Sequence, residues 1–240
     1  MTPFLPILFS DAHVVAIDKP AGLPSVPSEG ESGRTCVSEL RRSHPTAEPV
    51  HRIDRDVSGI LLFALDPATR VTLESQFKAR SLDKIYLAVV NGVPRPPVGT
   101  IRKPIADLGK TAQIGGSRGG GRGGRPGSSG APAQTAITHY RVVESFGRGA
   151  ASLVEVRLET GRYNQIRLHF AATHHALLGE RKYARGRDHS IRFRRPALHA
   201  WRLAFDHPIT RQRIELEAAP PADFEGLLAT LRKGGPANPG

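Results

Sequence analysis

The chain is poor in cysteine, tryptophan and methionine, with one residue of each among its 240. The single cysteine, Cys36, excludes a disulfide within the chain and a structural zinc site built from several cysteines. A cytoplasmic protein is the simplest interpretation of so little cysteine. No apolar run approaches the length of a membrane span. The first ten residues are partly apolar, but Pro3 and Pro6 interrupt them and no basic residues lead into them, unlike a secretory signal.

Acidic residues are scarce relative to basic ones. Asp and Glu number 22 against 34 Lys and Arg, which gives a formal net charge of +12 and a pI near 10.6. This balance favours an anionic partner such as nucleic acid. Most of the basic residues are arginine, whose planar fork suits phosphate recognition. A basic surface that faces only solvent would have the same composition, so charge alone leaves both interpretations open.

Apolar patterns predict more strands than helices. Strands are expected at 13–18, 59–65, 84–90, 137–143, 153–158, 197–205 and 212–218, and helices at 35–43, 67–79, 164–174 and 224–231. Asp66 before Pro67 predicts the start of the second helix, because Asp is a good N-cap and proline fits the first helical position. Strands that follow one another directly favour an α+β fold with a mixed, mainly antiparallel central sheet flanked by helices.

The segment from Gly115 to Gly130 consists of Gly, Ser, Arg and Pro and cannot bury a core. We expect a disordered insertion within a single domain that spans 1–240, without a separate N-terminal RNA-binding domain. The arginines of this segment would also suit a noncatalytic RNA-binding protein, since flexible arginines contact phosphates and stack on bases.

A carboxylate stands among basic residues in the stretch HRIDRDVSGILL at 51–62. Asp54 lies between Arg52 and Arg55, so nearby positive charge is expected to keep it ionised. An ionised carboxylate can act as a nucleophile at a sugar carbon or an electron-poor ring. Asp, Ser and Gly before an apolar run are also typical of an ordinary turn, so this stretch alone leaves both interpretations open.

Four separated segments together resemble the RluA-type family of pseudouridine synthases. They are VAIDKPAGLP at 15–24, HRIDRDVSG at 51–59, KIYLAVV at 84–90, and TGRYNQIRLH at 160–169 with LHA at 198–200 and HP at 207–208. Their order and spacing follow the family from about Val14 to Pro208. The resemblance implies the family's catalytic fold and the conversion of a specific uridine in rRNA or tRNA to pseudouridine. It implies no cofactor.

The resemblance also assigns roles to individual residues. Asp54 corresponds to the catalytic aspartate, which forms a covalent adduct with the target uridine while the base is detached, turned and rejoined through carbon. Arg167 corresponds to the arginine that pairs with this aspartate through a bidentate guanidinium, and Tyr86 to the tyrosine that stacks on the target base. The implied substrate-binding residues are Arg52, His51, Arg162, Gln165 and Ile166, the last through packing.

Some positions depart from the family pattern. Val57 replaces the usual Thr and can make no side-chain hydrogen bond, and Asn164 replaces the usual His and carries no charge. Residues 179–183 match the family's Gly-Asp-x-x-Tyr-Gly only loosely, with Glu180 in place of Asp. A catalytically degenerate member that only binds RNA is therefore the alternative function.

Histidines at 169, 174 and 175 raise the question of a metal. Their spacing is not that of a His-Glu-x-x-His helix and no cysteine cluster assists, so no metal is expected. The expected partner is RNA, with no membrane association, and the expected state is a monomer.

Overall fold

The computed structural model describes residues 5–27, 33–109, 111–115, 132–184 and 191–234. The strands are β1 (Ile7–Ser10), β2 (Val14–Lys19), β3 (Glu48–Pro49), β4 (Ser58–Ala64), β5 (Asp83–Asn91), β6 (Val98–Arg102), β7 (Ile105–Asp107), β8 (Ala112–Ile114), β9 (Ile137–Phe146), β10 (Ala151–Leu158), β11 (Leu198–Asp206) and β12 (Arg213–Glu217). The helices are α1 (Cys36–Leu40), α2 (Pro67–Ala79), α3 (Gln165–Ala172) and α4 (Ala222–Arg232). Apart from Gly115, the Gly/Arg-rich insertion lies outside the described residues.

Ten strands form one sheet in the order β1-β2-β4-β11-β5-β10-β9-β6, with β12 paired to β11 and β3 to β4. Strands β7 and β8 form a separate hairpin. Within the described ranges, β4 and β11 run parallel and every other named pair is antiparallel. The predicted α+β fold with a mixed, mainly antiparallel sheet is confirmed.

The strongly patterned segments form the predicted elements. All seven residues of β4 are buried, as expected for a continuous apolar run in the interior of a sheet. Helix α2 begins at Pro67, and the Asp66 side chain accepts a hydrogen bond from the backbone N–H of Thr69, which confirms the predicted cap. Strands β11 and β12 pair antiparallel from Arg202 opposite Glu217 to Asp206 opposite Arg213.

Five strands were not predicted, namely β1, β3, β6, β7 and β8. Each has two to five residues, too few for an apolar pattern to be distinguished from a loop. Strands β1 and β6 form the two edges of the large sheet, where they pair with β2 and β9. These short strands depend on the free hydrogen-bonding edge of a neighbour more than on their own sequences.

Helix α3 packs on one face of the sheet beside the loop that carries Asp54. Ile166 and Phe170 both lie in an apolar cluster with Val154 of β10. Ile53 and Val57 from the Asp54 loop belong to the same cluster. Shared packing therefore places the start of α3 next to this loop.

None of the helices in the described part of the chain has the length and apolar composition of a membrane-spanning helix.

Gly59 lies where β4 meets β11 and leaves no room for a side chain. Its φ is +109°, and a Cβ there would lie 2.2 Å from the carbonyl oxygen of Ala200, its parallel partner. We expect Gly59→Ala to lower the free energy of unfolding by about 2–4 kcal/mol, measured by urea denaturation. Gly226→Ala in α4, where a Cβ meets nothing, is the control and should raise it by about 0.5–1 kcal/mol. Equal stability of the two variants would contradict this account.

Candidate active site

The loop between β3 and β4 carries Asp54, and the buried Lys19 ties it to the end of β2. Lys19 Nζ donates to the carbonyl oxygens of Pro20 at 2.9 Å, Leu23 at 2.7 Å and Arg55 at 2.9 Å. Burial lowers the pKa of Lys19 to about 8. Three carbonyl acceptors around one ammonium group therefore join two loops that are separate in the sequence.

A second tether reaches the same loop from the C-terminal part of the chain. The buried Arg195 donates from Nη1 to the carbonyl oxygen of Asp56 at 3.2 Å. Its Nε and Nη2 bind the two carboxylate oxygens of Asp223, in the first turn of α4, at 2.7 and 2.9 Å. Neither tether was predicted from the sequence. Lys19 lies in the segment 15–24 that resembles the family, whereas nothing in the local pattern around Arg195 indicates its contacts.

Arg167 of α3 lies against Asp54, although 113 positions separate them along the chain. Its Nη1 donates to Asp54 Oδ2 at 3.0 Å. Arg52 and Arg55, the basic neighbours of Asp54 in the sequence, do not form an ion pair with it. The Arg52 guanidinium lies over the ring of Tyr163, 5.3 Å from its centroid, and Arg55 Nε donates to a backbone carbonyl.

The bidentate fork of Arg167 binds Glu180. Nε lies 2.6 Å from Oε2 and Nη2 lies 3.0 Å from Oε1. The Glu180 side chain is fully buried, whereas that of Asp54 is 25 % exposed. The expected bidentate contact with Asp54 is therefore wrong, because the buried carboxylate takes the fork. Asp54 keeps one contact with Arg167 and remains accessible. In the sequence, the only indication of a role for Glu180 was the loose family match at 179–183.

Asn164 links Arg167 to a neighbouring tyrosine. Its Oδ1 accepts from Arg167 Nη1 at 3.1 Å, and its Nδ2 donates to the hydroxyl of Tyr183 at 2.7 Å. Its φ is +54°, a conformation that asparagine adopts more readily than most residues. Val57, the other departure from the family pattern, is buried in the apolar cluster and needs no hydrogen-bond partner. Both departures are accommodated by their surroundings.

Tyr86 of β5 lines a pocket together with Asp54 and Arg167. Its ring also packs against the apolar cluster under α3. Burial, and then the negative charge of Asp54, raise the pKa of Tyr86 above its ordinary value. The phenol therefore stays protonated at neutral pH. It can donate a hydrogen bond, but it is not ionised and ready to act as a general base.

Seven of the eight residues predicted for the site line this pocket: Arg52, Asp54, Tyr86, Arg162, Gln165, Ile166 and Arg167. Gln165 and Ile166 are buried and form its wall, and Gln165 Nε2 donates to the hydroxyl of Thr138 at 3.0 Å.

His51 is the predicted residue that the structure does not bring to the pocket. Its Nε2 accepts from the backbone N–H of Leu62 at 3.1 Å, and its ring stacks on Phe77 at 4.7 Å. Burial, and then the charge of Lys84, lower the pKa of His51 to about 3. A neutral histidine that stacks on Phe77 and accepts from the Leu62 N–H stabilises the loop, and its predicted part in substrate binding is corrected to a structural one.

A cleft of about 540 Å³ adjoins the pocket and shares Asp54 and Arg167 with it. Its further basic residues are Arg52, Arg55, Arg181, Lys182 and Arg194. Among the described residues, none of these four arginines has a carboxylate partner. The cleft therefore presents cations that an external anion can bind. The described ranges contain no group of His, Cys, Asp and Glu that could hold a metal ion.

The buried Glu180 should make the free energy of unfolding depend on pH in the acid range. Burial raises the pKa of Glu180, but Arg167 and the backbone N–H groups of Lys182 and Tyr183 lower it by more, so it lies below the ordinary value of 4.5. The unfolded chain takes up this proton first as the pH falls. Glu180 therefore stabilises the fold above about pH 4.5, and this contribution is lost as the pH falls through the folded-state pKa.

We expect Glu180→Gln to lower the free energy of unfolding at neutral pH by about 3–5 kcal/mol, because Arg167 loses its buried counter-charge. Below about pH 4.5 the variant should lose less stability with further acid than the parent protein does. Urea denaturation across the pH range measures both effects. Glu215→Gln, at an exposed position on β12, is the control and should leave the curve unchanged. An identical pH dependence of Glu180→Gln and the parent protein would contradict the prediction.

In sequence and in fold, this chain is similar to known pseudouridine synthases. A family model described as RNA pseudouridylate synthase matches residues 13–172. Ribosomal large subunit pseudouridine synthase D of Zymomonas mobilis is 35 % identical, in an alignment that covers 95 % of this chain and 73 % of that protein. The uncharacterized RNA pseudouridine synthase YhcT of Bacillus subtilis is 36 % identical over 233 residues, covering 94 % and 72 %. Human RNA pseudouridylate synthase domain containing 4 superposes with a TM-score of 0.75 at 25 % identity, covering 95 % and 93 %. This chain belongs to the RluA-type family of RNA pseudouridine synthases, which are isomerases, as its four segments predicted.

Proposed function

We propose that the protein converts a specific uridine in ribosomal or transfer RNA to pseudouridine, with Asp54 as the nucleophile. The observation that carries the proposal is the position of Asp54, which is partly exposed, contacts Arg167 at 3.0 Å and lines one pocket with Tyr86. The adjoining cleft carries four arginines that pair with no carboxylate in the described part of the chain, which suits a polyanion. The name of the Zymomonas mobilis relative favours ribosomal RNA.

The reaction needs no co-reactant. The bond between N1 of uracil and C1′ of ribose breaks, the base turns, and C5 becomes bonded to C1′. The proton on C5 leaves and N1 gains one, so product and substrate are isomers. A carboxylate can add to C1′ or to the ring, or assist elimination at the sugar, and its later departure restores the enzyme.

The remaining residues support this chemistry by position. Arg167, with its fork on the buried Glu180, offers one N–H to Asp54 and orients it without covering it. The ring of Tyr86 offers an aromatic surface to a uridine that has left its stack. The degenerate alternative loses support because Asn164 and Val57 are accommodated and the Asp54–Arg167 contact is present. A cytoplasmic location and a monomeric state stay predictions from the sequence.

Two measurements test the proposal. Pseudouridine mapping of cellular RNA with and without the gene should show at least one site that disappears with the gene. The purified protein should then release tritium from 5-labelled uridine in RNA taken from the strain that lacks the gene. If no site disappears and no tritium is released, the protein is an RNA-binding member without activity.

A further inference from the structure

A second basic groove lies apart from the cleft, between β6 and the C-terminal end of α3. It has a volume of about 400 Å³, and we call it the β6 groove. Its chemistry-bearing lining residues are Arg95, Arg102, Lys103, Tyr140, Phe170 and His175. None of them lines the cleft or the pocket that holds Asp54.

No described residue neutralises the charge of the β6 groove. No Asp or Glu is among its described lining residues. Arg95, Arg102 and Lys103 form no ion pair with any described residue. On the neighbouring strand β9, by contrast, Arg141 pairs with Glu155 at 2.8 Å, and Arg232 of α4 pairs with Glu144 at 2.8 Å. Carboxylates thus neutralise these two arginines, while the three cations of the groove, like the four arginines of the cleft, remain available to an external anion.

The walls of the β6 groove are held by internal contacts. The Tyr140 hydroxyl donates to the carbonyl oxygen of Pro96 at 3.1 Å, and its ring packs edge-on against Phe170 at 5.7 Å. The imidazole Nδ1 of His175 lies 2.9 Å from the carbonyl oxygen of Asn91. A ligand would therefore meet a preformed surface, which lowers the entropy cost of binding.

A third cavity shares one lining residue with the cleft and one with the β6 groove. This cavity, of about 580 Å³, is lined mainly by residues of β8 and α3, and its described lining includes no Asp or Glu. Lys182 lines both the cleft and this cavity, and Lys103 lines both this cavity and the β6 groove. The cleft, this cavity and the β6 groove are therefore neighbours on the surface, and a lysine is shared by each adjoining pair.

We propose that the β6 groove binds the phosphate backbone of the substrate RNA at nucleotides beyond the target uridine. The inference rests on the proposed function, because the strand in the groove continues the RNA whose uridine occupies the pocket. Its available groups are guanidinium and ammonium groups, which recognise phosphate without reading sequence. Phe170 is fully buried and offers no stacking face. The groove thus adds affinity and leaves the isomerisation step unchanged.

The test compares two triple variants with equal changes in charge. The groove variant carries Arg95→Gln, Arg102→Gln and Lys103→Gln. The control carries Arg148→Gln, Arg211→Gln and Lys233→Gln, at exposed positions that form no ion pair with a described residue and line none of the cavities above. Circular dichroism checks that both fold, and Lys103→Gln alone replaces the groove variant should it unfold.

Affinity for fluorescein-labelled poly(U) is measured by anisotropy over a range of KCl concentrations. Each phosphate contact to a single strand contributes about 0.7 to the slope of log affinity against log salt. The groove variant should therefore lose about 2 from that slope, the single variant about 0.7, and the control less than either. Tritium release should show a raised KM and an unchanged kcat for the groove variant.

A groove variant whose slope and affinity equal those of the control would overturn the inference, since its cations would then act only through net charge. A lowered kcat with an unchanged slope would also overturn it. Failure of the proposed function is a separate result, because the parent protein would then release no tritium whatever the slopes show.

Discussion

Asp54→Asn is expected to abolish tritium release from 5-labelled uridine in RNA while leaving folding and RNA affinity nearly intact. The amide has almost the shape of the carboxylate and can still accept a hydrogen bond from Arg167 Nη1, so the contact at 3.0 Å can persist. It cannot act as the anionic nucleophile. Loss of a nucleophile typically costs a factor of about 10⁴–10⁶ in turnover.

Asp56→Asn is the matched control for the nucleophile. It removes one negative charge from the same loop and the same cleft, and Asp56 is tethered through its backbone carbonyl, which the substitution keeps. We expect it to retain turnover within about tenfold, because a charge near the surface of a cleft changes binding modestly. Turnover by Asp54→Asn, or an equal loss in both variants, would overturn the assignment of Asp54.

Arg167→Met is expected to reduce turnover by about 10²–10³, because Asp54 loses the group that orients it, and small misplacements near the reacting atoms have effects of this size. The variant should also lose about 3–5 kcal/mol of stability, since Glu180 is left as an unpaired buried carboxylate. Arg167→Lys keeps the charge but cannot bind both oxygens of Glu180 and reach Asp54 at once. Its turnover should fall between that of Arg167→Met and that of the parent protein.

The double variant Arg167→Met with Glu180→Gln separates positioning from stability. Removing the second member of the buried pair should restore part of the stability lost in Arg167→Met, as urea denaturation measures, because no buried charge is left alone. Turnover should not recover, because nothing then orients Asp54. A double variant that recovers both would show that Arg167 supports only the fold.

The sequence was sufficient for the strongly patterned elements and for the catalytic candidates. The buried run of β4 and the Asp66–Pro67 start of α2 formed as predicted. A continuous apolar run and a capping residue can both be read from neighbouring positions in the sequence. Asp54, Tyr86 and Arg167 were selected through the family resemblance of their segments, and the pocket contains all three. Their roles in catalysis remain predictions that the variants above test.

The partners of these residues depended on the three-dimensional arrangement. From the sequence, any carboxylate could have formed the bidentate contact with Arg167. Glu180 forms it and Asp54 does not, because the Glu180 side chain is fully buried beside the guanidinium. His51 was turned from the pocket to the Leu62 N–H, and Lys19 and Arg195 were placed as tethers, by contacts between distant parts of the chain. A buried polar group must find a partner, and which partner lies in reach is a property of the packed fold and not of neighbouring residues in the sequence.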